Sequence, residues 1–87
     1  MSVPENRLKM LRMRSWRRGT KEMDLILGPF ADREITQLDA GDLDLYERLL
    51  TENDQDLYLW VTGASEGPPE YAAMLARIAR GAGLRAG

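Results

Sequence analysis

The chain contains no cysteine and no histidine. Those two absences remove disulfides, thiolate metal sites and Cys or His nucleophiles. They also remove the side chain that most often serves as a general base near neutral pH. No apolar run approaches the ~20 residues needed to cross a bilayer, and the N-terminus has no apolar signal segment. Neither a GxGxxG turn nor a P-loop occurs, so no cradle for a dinucleotide is encoded. Asp42, Asp44, Asp54 and Asp56 lack the spacing of a calcium loop and read as helix-cap residues, so no metal is expected. A carboxylate or lysine enzyme stays open, but these absences favour a protein that works by binding, and no catalytic residue is expected.

At 87 residues a single domain is expected over 1–87. A chain of this size buries only about 60–65% of its unfolded surface, so its stability is on the order of 5 kcal/mol. That leaves little room for both a core and an enclosed cofactor.

The net charge of −2 hides an asymmetry. Residues 1–21 carry seven cations (Arg7, Lys9, Arg12, Arg14, Arg17, Arg18, Lys21) against Glu5 alone, a net of +6. Residues 22–70 carry 13 acids against Arg33 and Arg48, a net of −11. The basic start is either a solvated helix face balanced by the acidic middle or a surface for an acidic partner. The acidic middle disfavours nucleic acid, whose phosphates it would repel.

Hydrophobic spacing predicts an all-α fold, a compact bundle of about five short helices with no strand. Pro4 and Glu5 open the first, which runs to about Arg17 with Leu8, Leu11 and Ser15 on one face. Gly19 is placed to end it. A second helix from Thr20 carries Met23, Ile26, Leu27 and Phe30, and Pro29 is expected to kink or end it, with resumption over residues 30–36 left open. Asp39 is the expected cap of a third helix with Leu45, Tyr46, Leu49 and Leu50 on its apolar side. Asp54 is the expected cap of a fourth carrying Leu57, Trp60 and Val61, which stops at Gly63. Pro68 and Pro69 open the fifth, with Tyr71, Met74, Leu75, Ile78, Ala79 and Ala82 as its stripe. The core then spans about 5–81, and residues 82–87 form a frayed tail.

The most informative stretch is Arg17-Arg18-Gly19-Thr20-Lys21-Glu22, at the junction of the first two helices. One reading is local: glycine permits the turn, and Arg18 and Glu22 form an ion pair worth under ~1 kcal/mol. The other makes it a docking point. There, glycine admits a partner's backbone, Arg18 and Glu22 supply charge-assisted hydrogen bonds, and Arg17 and Lys21 add long-range attraction. Trp60 shares the stripe of Leu57 and Val61 and reads as core. Tyr58 falls off that stripe and is a surface candidate. Trp16 either packs under the junction or touches a partner.

The RGxxE pattern at Arg18-Gly19-Thr20-Lys21-Glu22, followed by Met23-Asp24, Pro29-Phe30, Leu45-Tyr46-Glu47-Arg48-Leu49-Leu50 and Asp56-Leu57-Tyr58-Leu59-Trp60, resembles the succinate dehydrogenase assembly factor 2 family, also called FAD assembly factors. The resemblance runs from about Leu8 to Arg80. It implies a chaperone-like helper that binds the flavoprotein subunit of succinate dehydrogenase, and in bacteria also fumarate reductase. Such a helper promotes covalent attachment of FAD to a histidine of that subunit. FAD would belong to the partner, with no cofactor bound by this chain. The implied partner-binding residues are Arg17, Arg18, Gly19, Lys21 and Glu22, with Tyr58 beside them. A monomer in a bacterial cytoplasm is the expectation, with a processed mitochondrial form as the alternative location. An antitoxin-like interaction module is the alternative function.

Overall fold

The computed structural model describes residues 4–84. Five α-helices follow one another: α1 (Glu5–Trp16), α2 (Lys21–Glu34), α3 (Ala40–Leu49), α4 (Asp54–Thr62) and α5 (Ala72–Gly81). Single 3₁₀ turns at Ile35–Gln37 and Pro69–Tyr71 end α2 and lead into α5. Among the described residues there is no strand.

The helix boundaries follow local chemistry. Thr20 accepts the Met23 N–H and caps α2, while Asp39 accepts the Asp42 N–H at 2.8 Å and caps α3. Gly63 takes the left-handed conformation (φ 81°) that closes α4. The cap of α4 is Asn53, whose side chain accepts the Gln55 N–H, and not Asp54 as the sequence suggested. Asp54 is the first helical residue, and its carboxylate is engaged elsewhere.

Pro29 does not break α2, which is continuous from Lys21 to Glu34. The proline leaves the Leu25 carbonyl without its helical donor. Leu25 is 58% exposed, so that side of the helix is open to water, which can take the donor's place. Phe30 and Ala31, fully buried just beyond the proline, hold the second half of the helix on the core.

α2 is the central element. α1 packs along it, and α4 and α5 contact it as well. Met23, Leu27 and Phe30 of α2 meet Leu11 of α1, Leu43, Tyr46 and Leu49 of α3, Leu57 and Val61 of α4, and Met74 and Ile78 of α5 in one core. Each such side chain contributes about 1.5–3 kcal/mol of burial. Trp60 sits at the core's edge, half-buried, with its ring 6.3 Å from that of Tyr71.

Two contacts lock α1 onto its neighbours. Ser15, fully buried, donates to the Leu11 carbonyl at 2.7 Å, so the 2.6 Å contact between Ser15 Oγ and Tyr46 Oη is donated by the tyrosine. Trp16 packs against Gly28 of α2. A Cβ at Gly28 would fall 2.3 Å from the indole ring, and the indole N–H donates to Asp32 at 3.1 Å.

At the other end, the Leu84 N–H bonds the Ala79 carbonyl at 2.8 Å and the Gly83 N–H bonds that of Arg80, with Gly83 at φ 75°. This Schellman closure ties residues 82–84 to α5. The remainder of the expected frayed tail, residues 85–87, lies outside the described residues.

Candidate functional site

The turn between α1 and α2 is held from two directions. Arg17 leaves the helix at φ −122°, ψ 57°, and Gly19 does not adopt a positive φ. Gly19 is therefore not the left-handed helix stop that its position suggested. On one side, the Arg18 backbone N–H donates to Asp24 of α2. On the other, the Arg18 side chain crosses to the α3–α4 connection. Its Nε donates to Asp54 Oδ1 at 2.7 Å, Nη1 to the Leu50 carbonyl at 2.7 Å, and Nη2 to the Glu52 carbonyl at 3.0 Å. The second Asp54 oxygen accepts the Gly19 N–H.

Arg18 is thus committed internally. Its side chain is 10% exposed and that of Asp54 is 12%. The local Arg18–Glu22 pair weighed from the sequence is replaced by this long-range one. Glycine is favoured at 19 because a Cβ there would lie 2.9 Å from Asp54 Oδ2. The close approach lets the carboxylate reach the backbone.

Arg17, Gly19, Lys21 and Glu22 remain exposed around the clamp. Glu22 and Tyr58 are brought together across α2 and α4. They line an open groove of 370 Å³ with Thr20, Asp54, Gln55 and Leu59. Both also border a neighbouring groove with Leu25 and Pro29. Leu25, Tyr58 and Leu59 expose large apolar area here. Asp54 was missed by sequence reasoning as a site residue because its partners lie 35 and 36 positions away, and no local pattern reports that distance.

Part of the basic N-terminus is spent on the fold. Arg7 bonds Asp44 at 2.6 Å and Glu47 at 2.8 Å, tying α1 to α3, and this double partnership holds its guanidinium pKa above the usual value. Among the described residues no group of three or more side chains is arranged to hold a metal ion. None of their helices is long and apolar enough to cross a membrane.

The model of a family described as flavinator of succinate dehydrogenase matches residues 9–82. The FAD assembly factor SdhE of Legionella pneumophila (strain Lens) is 36% identical over 74 residues, covering 85% of this chain and 94% of the relative. The mitochondrial succinate dehydrogenase assembly factor 2 of Mycosarcoma maydis is 37% identical over 68 residues, 78% of this chain. The corresponding factor 2-B of Drosophila mojavensis is 34% identical over 76 residues. The chain spans 29% and 48% of the length of these two mitochondrial relatives.

Proposed function

Since this chain belongs to the family of flavinators of succinate dehydrogenase, we propose that it is an assembly factor that binds the flavoprotein subunit of that enzyme and promotes covalent attachment of FAD. Fumarate reductase is proposed as a second client. The observation that carries the reading is the clamped turn. Arg17, Gly19, Lys21 and Glu22 face outward from a segment fixed by Arg18 and Asp54, so a partner meets a preformed surface and little ordering entropy is lost on docking.

In this reading the chain acts as a positioning device and not as an enzyme. It has no histidine to be joined to the flavin. FAD supplies the reactive C8α methyl group and the partner supplies the histidine. The chain's own residues bind and orient. Gly19 admits the partner's surface, Glu22 and Tyr58 engage it in the α2–α4 groove, and Arg17 and Lys21 draw it in electrostatically. Arg18 acts through the shape of the turn and not as an exposed anchor. Favouring a partner conformation in which histidine and methyl group meet can remove several kcal/mol from a barrier. The bacterial cytoplasm is the proposed site of action, with the chain acting as a monomer. Nothing in the geometry or the comparisons favours the antitoxin-like reading.

The test is deletion of the gene followed by in-gel flavin fluorescence of the dehydrogenase's large subunit. The expected result is loss of the fluorescent band and its return on complementation. A band of normal intensity in the deletion strain overturns the reading.

A further inference from the structure

On α1, beside the junction, Met10, Met13 and Arg14 follow the i, i+3, i+4 spacing of a single helix face, and Arg17 follows just past the helix end. With Arg18 they line an open groove of 270 Å³. Met10 is 62% and Met13 43% exposed, although Leu8, Leu11 and Ser15 already supply the face that α1 turns inward. Two methionines on a solvent-facing, arginine-rimmed surface have no role in the core. Methionine adapts to irregular partner surfaces, and methionine and arginine are both enriched at interfaces.

The charge in this groove is of one sign and, outside Arg18, largely unspent. The carboxylate nearest Arg14 is Glu47 at 3.9 Å, and Glu47 is already held at 2.8 Å by Arg7. Arg17 pairs with no carboxylate of the described residues. Arg18 lines this groove and its partner Asp54 lines the one holding Glu22 and Tyr58, so the buried pair is the wall between them. The α1 groove is therefore continuous with the docking turn and opposite in charge to the groove beyond the wall.

We propose that the Met10–Met13–Arg14–Arg17 groove is a second contact surface. It receives a segment of the flavoprotein whose carboxylates meet Arg14 and Arg17 and whose apolar side chain lies between the methionines. The inference rests on the assembly-factor reading above and adds to it the chemistry of the segment and its orientation. An acidic segment fits the α1 side, so the partner can dock in one sense only.

The experiment measures binding of the unflavinylated flavoprotein subunit to the full chain and to two double variants, Met10→Glu/Met13→Glu and Met10→Lys/Met13→Lys, by titration calorimetry. Both positions are exposed, so circular dichroism should match the parent. The glutamate variant is expected to lose about tenfold or more in affinity and the lysine variant clearly less. A glutamate variant within about twofold of the parent, or equal losses from both variants, overturns the proposal. Methionine oxidation by dilute peroxide on the unsubstituted chain supplies a second readout. Met10 and Met13 should be protected in the complex, and unchanged oxidation overturns the proposal. If the parent neither binds nor raises covalent FAD, the assembly-factor reading falls as well. If it does both and the variants match it, only the groove inference falls.

Discussion

One carboxylate, that of Asp54, receives the Arg18 Nε–H on one oxygen at 2.7 Å and the Gly19 backbone N–H on the other. A side chain at the start of α4 therefore sets the shape of a turn between α1 and α2. Arg18 completes the connection by binding the carbonyls of Leu50 and Glu52.

Asp54→Ala should destabilise the fold by about 2–4 kcal/mol, because it leaves a largely buried guanidinium without its counter-charge. Asp54→Asn should cost less. Its carbonyl can still accept from Arg18, but its amide group meets the Gly19 N–H donor head-on. Urea denaturation gives the midpoints, and an alanine variant that unfolds at the parent's midpoint contradicts the clamp.

Gly19→Leu should retain the helical signal yet lose most promotion of covalent FAD. Its φ is not in the left-handed region, so the side chain adds bulk on the docking surface and displaces Asp54 by a few tenths of an ångström. Gly19→Ala should cost under about 1 kcal/mol of stability. Glu22→Ala should weaken flavinylation less than Gly19→Leu, and Lys21→Ala least. In-gel flavin fluorescence ranks them, and a fully active leucine variant removes Gly19 from the docking surface.

Stability should fall in alkali. Burial raises the Tyr46 pKa to about 12 from its ordinary 10. A raised folded-state value favours the protonated phenol in the native state. The contribution is complete below pH 10 and is lost as pH climbs to about 12, on the order of 2–3 kcal/mol. Tyr71 is shifted upward as well, chiefly by burial and then by its bond to Glu52, and adds to the slope. Tyr46→Phe should flatten the profile of urea midpoint against pH between 9 and 12, and an unchanged slope would exclude Tyr46 as its source.

Association with the flavoprotein should slow as salt rises, because exposed Arg17 and Lys21 act at distances comparable with the ~10 Å screening length at 0.1 M. Arg17→Gln/Lys21→Gln should bind more slowly at low salt and show a shallower salt dependence. Stopped-flow association rates decide this, and a slope identical to the parent's removes these cations from the encounter.

Much of the architecture is legible in the sequence because it is written locally. Thr20, Asp39 and Gly63 bound their helices through contacts within a few residues, and the predicted fifth stripe buries Tyr71 of the preceding turn and Met74, Leu75, Ile78 and Ala79 of α5, whereas Ala82 falls past the helix and is exposed. The failures are non-local. Asn53 and Asp54 are both competent caps, and the choice between them is made by Arg18, distant in sequence. Pro29 is tolerated because Phe30 and Ala31 are buried beyond it. At the candidate site, the sequence marked the exposed residues but not the internal use of Arg18, since an arginine in a motif looks the same whether it faces a partner or a carbonyl.

The contact of Trp16 with Gly28 has a consequence on the evolutionary scale. No side chain fits at 28 while the indole occupies its place, and a smaller residue at 16 would leave a gap over bare backbone. The two positions are expected to change together or not at all in descendants of this chain. A lineage that enlarges residue 28 must first give up the tryptophan and its bond to Asp32, so the order of substitutions is constrained as well as their identity.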